Sequence, residues 1–452
     1  MYGMPLSQAL VFTVAAFIII VATQWRHFHP FLVLVVVATA FGYVAGYPTS
    51  QLGSLFGGGF GEKIYSPGLV IVAASLIAGL SEATAASDRL MAQIDRWRWL
   101  GARWIAAFLG LIAGLAASPA AAFALITPLL RPIGGGKPQG RQSATIALAL
   151  AISAAHGLLV LSPVPIAAVA ILGARWDRVA LFGLPLAIFV VGCGAVFAVW
   201  SSTVDAAPAP AEPAPGREKQ SGGSAIVLLS AAAIPLLLLM VQSLGDIPSE
   251  PLGGGQAREL VIGIGRPLIL FLAGVGIMLF GNLRHGLKLL ADPDWTGRLL
   301  GSVSSILLIV GAAGGLQSLC QQTGMAEMVG EHLLGSHGVD ALGVLAPFLI
   351  TAGMKTLQGS SLVAAITSAG MVQPILLPLG LADANGTALA ALAVGAGAMT
   401  VCHVNDDYFW LVANKAGLSP LRAIATVSVG TLLQGVIAAT ALVILAALIS
   451  HA

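Results

Sequence analysis

The sequence predicts an all-α polytopic membrane protein made of two inverted-topology repeats. Each repeat is expected to hold about five transmembrane helices, one of them broken, and one re-entrant hairpin. Three observations lead there. Of 452 residues, 57% are hydrophobic and only 9% charged, against roughly 25% charged in a soluble domain. Uncharged runs cover 1–25, 104–130, 142–174, 179–204, 220–245, 299–326, 356–382 and 423–452. Each exceeds the ~20 residues that a helix needs to cross a bilayer. The same order of features also occurs twice, on either side of the polar interruption at 202–224. A membrane β-barrel would instead show segments of about 10 residues with alternating hydrophobicity.

In the first repeat, 1–201, residues 7–23 lack the basic leader of a signal peptide and read as a retained helix. Crossings follow near 30–47 and 66–87. The segment 88–103 carries Arg89, Arg96, Arg98 and Arg103, and the loop 131–141 carries Arg131, Lys137 and Arg141. The uncharged run 104–130 therefore has a basic loop at each end. Cytoplasmic loops collect Lys and Arg, so this run is expected to enter from the cytoplasm and return as a hairpin. The next crossing, 142–174, contains His156-Gly157 and then SPVP at 162–165. Prolines so closely spaced remove backbone donors and break a helix. A crossing near 179–200 completes the repeat. Residues 202–223, rich in Pro, Ala, Gly and charge, cannot bury enough apolar surface to fold and are expected to form a disordered cytoplasmic linker.

The second repeat, 224–452, has expected crossings near 224–244, 260–281, 299–322, 389–417 and 423–449, with a hairpin at about 341–378. Pro128 precedes His156 by 28 residues, and Pro374 precedes His403 by 29. The counterpart of the basic segment 88–103 is 324–340, which holds Glu327, Glu331 and Asp340 but no Lys or Arg. Equivalent loops of opposite charge bias place the two halves upside down relative to each other. The layout puts 15 of the 21 Lys and Arg in the cytoplasm and five outside, among them Lys63, Arg175 and Arg258. Lys355 remains within the second hairpin, and both termini fall outside the cytoplasm.

Broken helices at matching positions in two halves point to a transporter's substrate site. The run 389–417 is interrupted at GAMTVCHVNDDYFWLV, which gathers His403, Asn405, Asp406 and Asp407. A carboxylate inside a membrane is costly unless it is paired or binds a proton or cation. Asp406 is expected to be the coupling or substrate-orienting acid, and Asp407 to face water in the cavity. His156 and His403 occupy equivalent places; each is either a proton relay or a hydrogen-bonding strut. Lys355, Gln358, Gly359, Ser360 and Ser361 form the tip of the second hairpin, followed by Thr367. The helix after the tip would aim its N-terminal amides at an anion, and Lys355 would add a positive charge. In the first hairpin only Ser118 and Thr127 offer hydroxyls, so it is expected to contribute mainly backbone; Ser118 and, from the proline-rich break, Ser162 are candidate substrate contacts. Glu82, near the expected cytoplasmic edge, is an alternative proton carrier or a solvated residue. Cys193, Cys320 and Cys402 lie in apolar segments without pattern, so neither a metal nor a cofactor is expected. There is no basic tract for nucleic acid.

The motif HVNDDYFWLV resembles the His-Val-Asn-Asp-Ser-Gly-Phe-Trp stretch of the gluconate permease family. LQGSSLVAAITSAGM is similar to that family's Gln-Gly-Ser hairpin, and HGLLVLSPVPIAAVAILGA to its proline-rich segment. GAAGGLQSLCQQTGM fits its glycine-rich crossing. The resemblance implies proton-coupled uptake of gluconate or a related sugar acid or hydroxy acid. It also implies a two-repeat, re-entrant-hairpin fold of the ion-transporter superfamily, working as a homodimer by elevator-like displacement in the bacterial inner membrane. GLAASPAA (114–121) replaces the family's acidic Gly-Leu-Pro-Val-Phe-Phe-Glu-Val element, Ser162 replaces a histidine, and NDDYFW stands for NDSGFW. A sodium-coupled carboxylate carrier of the same architecture is the alternative. A proton-conducting subunit of a membrane complex would need charged residues on successive helices, where only Lys355, Asp406 and Asp407 are candidates. An enzyme is not expected, because no nucleophile elbow or paired metal-ligand spacing occurs.

Overall fold

The computed structural model describes residues 5–24, 28–94, 101–116, 118–134, 138–160, 162–201, 224–245, 254–281, 283–323 and 343–450. The expected linker 202–223 and the acidic segment 324–340 lie outside the described residues. Regular structure in the described residues is helical throughout. Six helices among them are long and apolar enough to cross a membrane: Thr49–Ala83, Gly140–Leu172, Trp176–Ser201, Ala225–Gln242, Pro293–Gln322 and Pro420–Ile449. A seventh candidate is Gln256–Ile264 with Pro267–Gly281, bent by 53°.

The distribution of side chains is that of a protein dissolved in lipid. Trp200 is 73% exposed and Phe280 82%, whereas Lys355 is 2% and Asn405 0% exposed. Without water in the bilayer core, polar groups must find partners inside the protein. The outer faces can stay apolar, because lipid tails accept them.

Most elements fall where the hydrophobic runs place them. Trp176–Ser201 and Ala225–Gly245 fall on expected crossings and are long enough to span, whereas Pro5–Gln24 and Pro30–Val44 fall on expected runs but are not among the helices long and apolar enough to cross. The run 104–130 is two short helices, Ala102–Ala113 and Pro119–Ile133, and 341–378 contains Leu345–Gln358 and Ser361–Val372. The two long interrupted runs are broken as expected, into Pro138–Leu158 with Pro163–Leu172, and Ala384–Ala398 with Asp407–Ala416.

The third crossing differs. Helix begins at Thr49, not near 66, and runs on to Ala83 through one π-turn at Ile64–Gly68. The glycine-rich stretch TSQLGSLFGGGFGEK reads as a loop on propensity alone. Within a membrane, small residues let helices approach closely. A Cβ at Gly59 would stand 2.3 Å from the Gly314 carbonyl oxygen, so Thr49–Lys63 lies directly against Pro293–Gln322. This draws Lys63 from its expected external loop into the protein.

Candidate functional site

Two broken helices and the turns of two short helix pairs, four interruptions in all, build the site. In the first half, Pro163 and Pro165 supply no N–H, so the chain leaves helix after Leu158 and re-enters at Pro163. The Ser162 hydroxyl donates to the His156 carbonyl at 2.5 Å, satisfying an acceptor stranded by the break. The His156 ring stands 3.3 Å from the Gly114 carbonyl through Nδ1. Gly114 lies at the end of Ala102–Ala113, so the break and the first helix pair are tied together.

The second break is longer. After Ala398 the chain runs non-helically to Asp406, with Val401 at φ +51°. A β-branched residue there is a true outlier, held by its surroundings. The Cys402 N–H donates to Thr431 Oγ1 (3.1 Å), and Ser428 Oγ donates to the Cys402 carbonyl (2.5 Å). Ser428 ends the π-turn Ile424–Ser428 of the last helix; such single turns recur at functional sites. Asp406 caps the helix that follows, accepting from the Tyr408 N–H at 3.0 Å.

Two glycine contacts lock these pieces. A Cβ on Gly395 would stand 1.9 Å from the Gly157 carbonyl oxygen, so the two broken helices cross backbone to backbone. Gly359, at φ +77°, turns the chain between Leu345–Gln358 and Ser361–Val372; a Cβ there would sit 2.4 Å from the Asn405 carbonyl oxygen. The tip of this helix pair is therefore seated on the second break.

All four interruptions open on one cavity of about 310 Å³, within the ~300–1,000 Å³ usual for small-molecule sites. Three helix N-termini face it. Ser118 caps Pro119–Ile133, accepting from Ala121 N at 3.3 Å; Ser360 caps Ser361–Val372, accepting from Val363 N at 3.4 Å; Asp406 caps the third. Such termini carry partial positive charge and favour anions.

Two ion pairs line the same cavity. The Lys355 ammonium donates to Asp406 Oδ2 and to the Gly359 carbonyl. The Cys402 thiol donates to the same Asp406 oxygen at 3.3 Å. Lys63 Nζ stands 3.5 Å from Asp407 Oδ1 and 4.0 Å from Glu62 Oε1. Burial of a charge is tolerable when it is paired and hydrogen-bonded; Lys355 meets that condition, and Lys63 is paired at longer range with its side chain 20% exposed. The arrangement can bind a small anion and exchange a proton without exposing either to lipid.

Of the residues singled out in the sequence, Lys355, Gly359, Ser360, Ser361, Ser118, His156, Asp406 and Asp407 line the cavity. Others stand one layer behind. His403 Nε2 lies 2.8 Å from the Thr356 carbonyl, and Asn405 Nδ2 donates to the Thr356 and Leu357 carbonyls at 3.0 and 3.3 Å. Both fasten the end of Leu345–Gln358 to the second break. Thr367 donates to Val363 of its own helix at 3.0 Å, and Gln358 is buried at the same tip. Glu82 is buried near the end of Leu69–Ala83, not solvated at an edge as expected, and is not among the lining residues.

Lys63, Glu62, Ser66, Ser153 and Gln317 line the cavity without having been singled out. The available signal was the pair of glycine-rich stretches, 57–61 and 311–315, which mark a close helix contact. A Cβ on Gly314 would meet Lys63 Cγ at 2.3 Å, so this glycine makes room for the lysine stem.

Comparison with known proteins agrees with a membrane carrier. Residues 4–449 match the profile described as "GntP family permease". A gluconate permease of Pseudomonas aeruginosa is 26% identical, with 93% of each chain covered. The high-affinity gluconate transporter of Escherichia coli K12 is 26% identical, over 85% of this chain and 87% of that one. A D-serine transporter of E. coli O6:H1 is 24% identical, over 91% and 92%. The chain belongs to the GntP family of permeases and is a multi-pass membrane transporter, not an enzyme.

Proposed function

We propose that the protein is a secondary active transporter taking up gluconate, or a related small sugar acid or hydroxy acid, together with protons across the bacterial cytoplasmic membrane. The observation that carries this reading is the convergence of four helix interruptions, three N-termini and two lysines on one cavity. The gluconate relatives support the sugar-acid part of it. In this reading 1–201 and 224–452 are repeats inserted upside down, and both termini lie outside the cytoplasm. Their hairpins, about 104–130 and 341–378, dip toward the cavity from opposite sides. The resemblance adds a homodimer and an elevator-like displacement.

The roles follow the geometry. The fixed charge of Lys355, with the amides behind Ser118, Ser360 and Ser361, draws the carboxylate in. Asp406 and Asp407 are the acids of proton coupling, with His156 on the same cavity. His403 and Asn405 serve by holding the hairpin tip. A thermal-shift screen of gluconate, glycerate and D-serine at two pH values tests the reading. A ligand at a hundred times its Kd stabilises the folded state by about 2.7 kcal/mol. An acid is expected to raise the melting temperature, more so at the lower pH. A flat response to every acid at both pH values refutes it.

A further inference from the structure

The two cavity ion pairs are not equivalent. Lys355 is 2% exposed, and its partner Asp406 also accepts from the Tyr408 N–H and the Cys402 thiol. That carboxylate thus has three donors, and the Lys355 ammonium is shared with the Gly359 carbonyl. Lys63 is held more loosely. Its side chain is 20% exposed and that of Asp407 11%, at 3.5 Å, beyond the ~2.7–2.9 Å of a tight charge-assisted hydrogen bond. A second acidic neighbour, Glu62, has its side chain 71% exposed and 4.0 Å away. An anion entering the cavity thus meets one committed ammonium and one that can change partners.

We propose that Lys63 takes the substrate's carboxylate and that Asp407 is the counter-ion it releases. The proposal rests on the reading of the cavity as a carboxylate site. Asp407 stands 3.5 Å from Lys63 and shares the cavity lining with Asp406, Lys355, Glu62, His156, Cys402 and Tyr408. Once the substrate holds Lys63, the released Asp407 faces two carboxylates, those of the substrate and of Asp406, with Lys355 already engaged. Two like charges sharing one partner favour protonation of one of them. Asp407 accordingly takes one proton from the water of the cavity as the anion binds. Anion and proton enter together, and binding weakens as pH rises.

Calorimetric titration of the full chain with sodium gluconate tests this, run in two buffers of different ionisation heat so that proton uptake is read directly. The wild type is expected to take up a proton on binding. Lys63→Gln is expected to weaken binding about tenfold to a hundredfold, the range for one hydrogen bond to a charged group. Asp407→Asn is expected to bind at least as tightly as wild type and to lose the proton uptake, because the competitor for Lys63 is gone. A merely structural pair would weaken binding in both variants. Melting without gluconate checks the fold; where Lys63→Gln does not stay folded, the neutral double variant K63Q/D407N takes its place and is expected to lose binding. Wild-type binding with no proton uptake, undiminished binding in K63Q or K63Q/D407N, or weakened binding in D407N overturns the proposal alone. A wild type that binds none of gluconate, glycerate and D-serine overturns the proposal together with the carboxylate reading.

Discussion

Removing one partner of the Lys355–Asp406 pair should harm the protein more than removing both. Lys355 is 2% exposed and the Asp406 side chain 8%, so neither charge can reach bulk water in this conformation. Stranding one charge of a buried pair costs about 3–5 kcal/mol, whereas replacing both by groups of similar volume is often nearly neutral. Asp406→Asn leaves the ammonium with neutral acceptors only, the Gly359 carbonyl and at best the new amide oxygen. Lys355→Met leaves the carboxylate with the Tyr408 N–H and the Cys402 thiol. The first should be the worse, since an aspartate can take a proton where it stands. Denaturant unfolding of the purified protein in detergent gives the four corners of a double-mutant cycle. Each single variant is expected to lose about 3 kcal/mol or more, with K355M/D406N recovering at least about 2 kcal/mol of the summed loss. Additive losses, or a harmless D406N, would refute the pairing. None of the three is expected to transport, and neutralising Lys355 to Ala should abolish uptake while the protein still inserts.

Gly395→Ala should destabilise by about 1–3 kcal/mol, because its Cβ falls 1.9 Å from the Gly157 carbonyl oxygen; unfolding midpoints measure it, and an unchanged midpoint contradicts the crossing. Ser428→Ala should cost about 1 kcal/mol, leaving the buried Cys402 carbonyl without that donor, and should lower uptake more than stability. Val401→Gly should relieve about 1 kcal/mol of left-handed strain but loosen the break, so melting and uptake are compared; a lower melting temperature at unchanged uptake would contradict it.

The breaks were legible in the sequence because their signals are local. Pro163 and Pro165, or Asn405 beside Asp406 and Asp407, interrupt long apolar runs and have few explanations there. Gly359 and Ser360 announce a turn and a cap in the same way. Pairing was not legible: Lys355 and Asp406 are 51 positions apart, and only tertiary contact makes them partners. Lys63 escaped for a different reason. Glycine lowers helix propensity, so the stretch 57–61 reads as a loop. Yet the close contact of Gly59 and Gly314 is what keeps that stretch helical and turns Lys63 inward. His403 and Asn405 read from the sequence as intramembrane polar groups. Whether they touch the cavity or brace it depends on which way a non-helical backbone turns, and spacing carries no information on that.

The central claim is that the cavity where the four interruptions meet is the path of the substrate. Uptake of radiolabelled gluconate into proteoliposomes tests it most directly, comparing wild type with Ser361→Trp, which fills the cavity, under an inward acid gradient without sodium. The account predicts accumulation by the wild type that collapses with the gradient, and none by a Ser361→Trp protein of normal melting temperature. Wild-type rates from the filled cavity, or uptake that ignores pH and requires sodium, would contradict it.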